Sequence, residues 1–534
     1  MTYTITPHNP SPNTHCIPKL LALTLLLLAL ALPTRAANDF DHWYLIEMQG
    51  THAGWMHESQ TTNLDNSTIT TEQEMVLTIK RGTQLIKMRM LGRLEESTDH
   101  KPIRLYTLDA LGAQPKEITY TYQDNSIITN QPQPDKNNPL TAKPIPLPDK
   151  PFQTPAQTNS FLTQQLKNEN NKFNLTLLDP LSGPVPVNLH YTIIDRNASI
   201  NLNSKSQPAI KWVITQDGRD TNLQSTEWVN ENAQLLKGET SFGPYTLNFI
   251  LTDETHAKQL IIAPELLVST FIKPDKPIRN PRRVKHAKYQ FTVTKGNLPS
   301  LPTTGSQTIL NTPQPQPTIK TNNNNTIATT PTIEFTVDTQ THHPATASEL
   351  NDKSQYLADS PYINSKSQEI LTLVDRALHA PHPIDDKNNN TKKVRLHAEK
   401  LRAFVNHFVR NKNLSVGFAS ADEVAQSRKG DCTEHAVLLT AMLRADHIPA
   451  RIASGLIYAE SFAGKQNIFG YHMWTQALID NKWIDLDATL RQPFDATHIT
   501  LQTTPLNDDS VSNTLSSIAT LFGRLQIKVI EISY

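Results

Sequence analysis

Residues 430–451 read G-D-C-T-E-H-A-V-L-L-T-A-M-L-R-A-D-H-I-P-A-R. Ala436, Leu439 and Leu443 fall on one face of a helix, Asp431 stands where an N-cap would, and Glu434 three residues later completes a capping-box pattern. Cys432 is therefore expected in the first helical turn, where unpaired backbone N–H groups and the helix dipole stabilise a thiolate, so that its sulfur should ionise more easily than an ordinary thiol. A lone cysteine is more commonly a small buried hydrophobe, and its position alone leaves both readings open.

The next informative stretch raises the first of these. Tyr471–Ile479 alternates as a strand, Asp480-Asn481 can turn it, and Trp483–Ala488 returns. A two-residue turn sets residue 474 opposite residue 487, which places His472 diagonally across from Asp487 on one sheet face. An imidazole beside a carboxylate is oriented and made more basic, as a general base for a thiol must be. Asp485 shares that face and is the rival for the orienting role; a register shift of one residue would undo either assignment. The catalytic candidates are Cys432, His472 and Asp487.

Upstream of Cys432, Val394, Ala398, Leu401, Val405 and Phe408 recur at helical spacing, as do Ile370, Leu373, Val374 and Ala377. Helices followed by a β-rich stretch from Arg451 to Asp487 give the order of an α+β domain. Asp39 to about Val293 reads instead as short alternating strands, among them a hairpin of Met75–Lys80 and Leu85–Met90 around Arg81-Gly82. Antiparallel sheets packed as sandwiches or open barrels are expected there. Pro/Gln/Asn-rich stretches at Ile128–Asn159 and Leu298–Thr330, the latter containing Asn322–Asn325, read as linkers or long loops. Ile333–Val337 reads as one more strand and Leu525–Ile532 as a closing strand. The fold class is thus multidomain, a β-rich N-terminal region followed by an α+β C-terminal domain. The divisions are a signal peptide at 1–36, the β-rich region at 37–297, a linker with a strand at 298–360, the catalytic domain at 361–500 and a C-terminal segment at 501–534.

The stretch from Gly430 to Arg451, H-M-W at His472 and W-I-D-L-D-A-T from Trp483 together closely resemble the transglutaminase-like superfamily, thiol enzymes with a papain-like core and Cys, His and Asp in this chain order. The resemblance covers roughly residues 362–500 and is similar in organisation to exported bacterial envelope members. It implies Cys432 as nucleophile, His472 as base and acid, Asp487 as its orienting partner, and amide-bond hydrolysis or transamidation through a thioester. Three departures stand out: His447 where a glycine usually ends the helix, Gln476 for a frequent glutamate, and Ala488 for a frequent proline. For the oxyanion, the backbone N–H of Cys432 supplies one hydrogen bond, and Gln426 is the candidate side chain for a second. A non-catalytic binding or scaffold protein on the same fold is the alternative.

The rest of the composition mostly excludes. With 50 basic and 50 acidic residues in 534, and a lone short cluster at Arg282-Arg283-Val284-Lys285, a nucleic-acid partner is not expected. His342-His343, His379 and His382 lie in Pro-rich loops without partners at metal spacing, and no phosphate-cradling glycine loop is present, so neither metal nor cofactor is expected. Leu20–Leu32 is an apolar run of 13 residues after Lys19 and before Thr34-Arg35-Ala36, a secretory signal in form and shorter than the roughly 20 residues of a spanning helix. The expected location is periplasmic or extracellular, with membrane contact only through an uncleaved leader. The expected partner is a protein, peptide or other amide-containing envelope substrate. Cys16 precedes the run, so export would leave Cys432 alone and without a disulfide partner.

Overall fold

The computed structural model describes residues 39–534 except 83, 111–114, 131–143, 149, 203, 218–223, 243–244, 295–299, 312–318, 321–325, 328–331, 380–389, 413–417, 507–520 and 522. The leader with Cys16, Asn322–Asn325 and His382 lie outside the described residues.

The alternating segments of the first half form one fourteen-stranded antiparallel sheet. Strands adjacent in sequence pair with each other, except that Ile145–Pro146 and Lys172–Leu177 form the two edges, and the first, Phe40–Met48, also pairs with the fourteenth in the chain, Tyr245–Thr252. The hairpin around Arg81-Gly82 is present as Thr68–Arg81 and Gln84–Ser97, with Met75 opposite Met90, Leu77 opposite Met88 and Ile79 opposite Ile86. Period-two patterning turns one side of every strand inward. Tyr44, Met56, Met75 and Met90 from early strands and Tyr191, Trp212 and Leu247 from late ones share a single core. Leu162 and Leu166 of the helix Pro155–Lys167 sit in that same core, so the sheet curls around a helix rather than stacking as two separate sheets. This helix starts inside the Pro-rich stretch Ile128–Asn159. Composition conceals it, whereas Thr154, Pro155 and Gln157 form a capping box with proline in the first turn.

The second half is built in three layers. A sheet of Ala450–Phe462, Lys465–Ile479, Lys482–Leu486 and His498–Thr504 lies in the middle, in the order 482–486, 465–479, 450–462, 498–504. On one face it packs the helices Gln368–Leu378, Asn390–Phe408, Ala421–Ser427 and Cys432–Ala445, through Leu439, Leu443, Val405, Ile452 and Ala477. On the other it packs a second four-stranded sheet, through Leu456, Tyr458, Phe469 and Ile499 against Tyr289, Phe291, Phe335 and Val337. Packing on both faces explains why Ala450–Tyr458 is buried almost without a break and not on alternate residues.

That second sheet gathers distant segments. His286–Val293 pairs with Thr332–Asp338 and with the closing strand Leu525–Ser533, and Gln307–Ile309 lies at its edge. Part of the stretch read as a linker is therefore packed structure. Gly305, at φ +54°, brings its backbone against Asp485, and a Cβ there would sit 2.2 Å from Asp485 Oδ2. Only a residue without a side chain permits that approach.

Candidate active site

Cys432 opens the helix Cys432–Ala445 as the sequence suggests. Asp431 is the N-cap, its carboxylate accepting from the Thr433 N–H at 2.9 Å, and the Glu434 carboxylate accepts from the Asp431 N–H at 2.8 Å. Glu434 also accepts from the Ala419 N–H at 3.1 Å, tying the helix start to the segment that leads into the preceding helix, Ala421–Ser427. Gly430 completes the entry at φ +147°, with an added Cβ only 2.2 Å from Glu434 Cβ. Gly430→Ala is expected to cost about 1–3 kcal/mol through forbidden backbone and overpacking, read as a lower urea midpoint at unchanged slope. At the other end His447 takes φ +59°, the left-handed turn a glycine would fill more comfortably.

The hairpin register is the one the two-residue turn requires. Asp480 and Asn481 have φ of 52° and 56°, Thr475 lies opposite Leu486 and Gln476 opposite Asp485, so the next pair is 474 and 487. His472 Nε2 donates to Asp487 Oδ2 at 2.9 Å, both side chains being almost wholly buried. That leaves His472 Nδ1 as the ring atom able to take a proton. Asp485, the rival, is engaged elsewhere: it accepts from Trp474 Nε1 at 2.9 Å, Gln476 Nε2 at 2.8 Å and the Ser306 N–H at 2.8 Å. The same bonds account for Gln476, whose Oε1 accepts from Arg451 Nε at 3.0 Å. A glutamate there would set a second carboxylate against Asp485.

The helix start and the hairpin meet. Thr475 Oγ1 donates to the Ala436 carbonyl at 3.0 Å, and the Cys432 sulfur accepts from the backbone N–H of Met473, the residue after His472. Cys432, His472 and His435 line one cavity of about 720 Å³. Its walls also come from the N-terminal half: Arg81, at the tip of the hairpin described above, bonds Asp431 Oδ2 at 2.9 Å, and Leu267, Pro281 and Arg282 stand beside it. Gln426 is exposed on the helix Ala421–Ser427 and is not part of the cavity lining.

The thiol differs from the expectation drawn from the helix start. Burial, and then the Asp431 carboxylate, push the Cys432 thiol up; the Arg81 guanidinium and the Met473 N–H oppose them without prevailing. At rest the sulfur therefore holds its proton, and a base within reach is needed to remove it.

Two further histidines reach the site, neither of them given a role by the sequence reading. His435 donates Nδ1–H to the Asp431 carbonyl at 2.6 Å, and burial lowers it to about 4, so it is neutral, with a bare Nε2 at the cavity wall that has no partner among the described residues. Such an atom accepts and cannot stabilise an oxyanion. The fully buried His498 sits on Asp487 Oδ2 at 3.2 Å, alongside His472, and its Nδ1 bonds the Asp495 carbonyl at 2.9 Å. Burial disfavours its charge, but Asp495 and Asp487 outweigh that and push it up to about 9. A raised value stabilises the fold fully below the ordinary histidine pKa of about 6.5, and the contribution is lost as pH rises through about 9. The urea midpoint of the protein is thus expected to fall across that window more steeply than that of His498→Gln; parallel curves would contradict it. Among the described residues, His472, Asp487 and His498 also form the grouping whose donors, all within 4.8 Å, lie close enough to hold a metal ion.

Residues 381–488 match the family model of the transglutaminase-like superfamily, a span containing Cys432, His472 and Asp487. The chain carries a transglutaminase-like domain. His498 lies beyond the matched span of that domain. No curated protein matches the chain. Among solved structures it is similar to a β-barrel-like protein of a domain of unknown function from Brucella abortus, at 12% identity and TM-score 0.31, covering 41% of this chain and 98% of that one. It is also similar to a candidate cysteine protease from Cytophaga hutchinsonii, at 19% identity and TM-score 0.27, covering 46% and 87%. The periplasmic domain of TgpA from Pseudomonas aeruginosa, bound to ethylmercury, is 13% identical with TM-score 0.17, covering 41% and 89%. Among the described residues no helix is long and apolar enough to cross a membrane.

Proposed function

We propose that the chain is an exported thiol enzyme that cleaves or exchanges amide bonds through a thioester on Cys432. The observation that carries this is the meeting of a helix-start cysteine with His472 on one cavity, the imidazole being held by Asp487 with Nδ1 left to accept a proton. Cys432 gives its proton to His472 Nδ1 as the sulfur adds to the amide carbonyl. The tetrahedral oxyanion collapses, the C–N bond breaks, and the same proton passes to the leaving amine. Water, deprotonated by His472, then releases an acid; an amine in its place forms a new amide. Protein, peptide or other amide-containing envelope material in the periplasm or outside the cell is the proposed substrate, reached through the leader at 1–36.

A second reading, a binding or scaffold protein without turnover, is favoured by one observation, the thiol that burial keeps protonated. Profiling the full-length protein on peptide amides, with and without primary amines, separates the two. Products that vanish with Cys432→Ala are expected, and identical traces for protein and blank would leave only the scaffold.

A further inference from the structure

We infer that His498 is a positioning residue, an imidazolium resting on Asp487, that sets the pH range in which the Cys432–His472 pair holds its proton. The inference rests on the proposed roles of Cys432 and His472. Its basis is a count of donors and acceptors. His498 Nδ1 faces a backbone carbonyl, which can only accept, and Nε2 faces the carboxylate of Asp487, held well below the usual range by its two histidines despite burial. Two acceptors require two N–H donors, and an imidazole with both nitrogens protonated carries a charge.

The consequence follows from the charges around it. Asp495 is paired with Arg282 at 2.7 Å, Asp431 with Arg81 at 2.9 Å, and Glu399 with Arg402, whose Nη1 also donates to the Asp487 carbonyl at 3.2 Å. His435 is neutral, and Lys412, with Nζ on the Thr489 carbonyl at 2.8 Å, adds positive charge toward Asp487. Against Asp487 therefore stand His498 and Lys412, so His472 does not face an uncompensated carboxylate. The carboxylate fixes the orientation of His472 while the second imidazolium limits how tightly the pair holds its proton. The ring centroids of His472 and His498 are 5.7 Å apart. A unit charge at that separation moves a titration by roughly 0.5–2 pH units, depending on the effective dielectric.

The test is the rate of Cys432 alkylation by iodoacetamide across pH, with EDTA, in the full-length protein, His498→Gln and His472→Ala. Glutamine keeps a donor for Asp487 and removes the charge. Both limbs of the His498→Gln profile are expected to move up by about 0.5–2 pH units. A lower maximum with unmoved limbs, the mark of a purely structural role, would overturn the inference. So would a wild-type profile that shifts when EDTA is added, since an ion and not a proton would then join the imidazoles. A wild-type rate indifferent to His472→Ala overturns the proposed function instead. If His498→Gln does not fold, histidine-15N spectra of the wild type decide. An imidazole with both nitrogens protonated at about pH 8, where an ordinary histidine is neutral, is expected, and its absence refutes the assignment.

Discussion

Alkylation of Cys432 by iodoacetamide at neutral pH is expected to slow by about 10²- to 10⁴-fold in His472→Ala, the range a positioned general base contributes. The magnitude follows from the state of the thiol. Burial and the Asp431 carboxylate keep it protonated, and of the two cationic or dipolar influences that favour the thiolate, Arg81 is itself paired with Asp431. Without His472, neither the Met473 N–H nor the helix start suffices to ionise the sulfur. The measurement is peptide-resolved mass spectrometry of labelled protein over time, with circular dichroism to establish that the variant is folded. Equal rates in the two proteins would mean that the imidazole takes no proton from Cys432.

The second large effect concerns stability. Asp487→Ala is expected to destabilise the fold by about 3–5 kcal/mol, because it leaves the buried His498 with a charge and only Asp495, at 3.5 Å and shared with Arg282, to answer it. His472 loses its partner in the same step, as does the Thr489 N–H, which donates to Asp487 Oδ1 at 2.7 Å. Asp487→Asn, which keeps size and some hydrogen bonding, should lose less stability while still misorienting His472. Urea unfolding monitored by fluorescence checks both, and a loss below about 1 kcal/mol for the alanine variant would place Asp487 outside a coupled buried network.

These residues were legible in the sequence to different degrees, for physical reasons. The His472–Asp487 pairing could be read because a two-residue turn at Asp480-Asn481 fixes the register of everything beside it. Cys432 at a helix start was equally local, since Asp431 and Glu434 carry the cap. His498 was not: it follows an irregular segment, and what brings it to Asp487 is the pairing of its strand with Ala450–Phe462. Arg81 lies 350 residues from the Asp431 it contacts and depends on the docking of two separately patterned regions. The helix start alone points to an easily ionised Cys432, and the structure reverses that direction because the helix start is a local feature and burial is not. At the fold level, period-two alternation announced the strands of the first half but not that fourteen of them share one sheet around a helix.

The most direct test of the central claim is to trap the acyl-enzyme. Full-length protein is mixed with peptide amides, quenched in acid, and examined by intact-protein mass spectrometry. The expected result is a mass increment equal to the acyl group, located on the Cys432 peptide, released by neutral hydroxylamine and absent from Cys432→Ala. An unmodified Cys432 with every donor, together with alkylation no faster than that of a model thiol, would contradict the account.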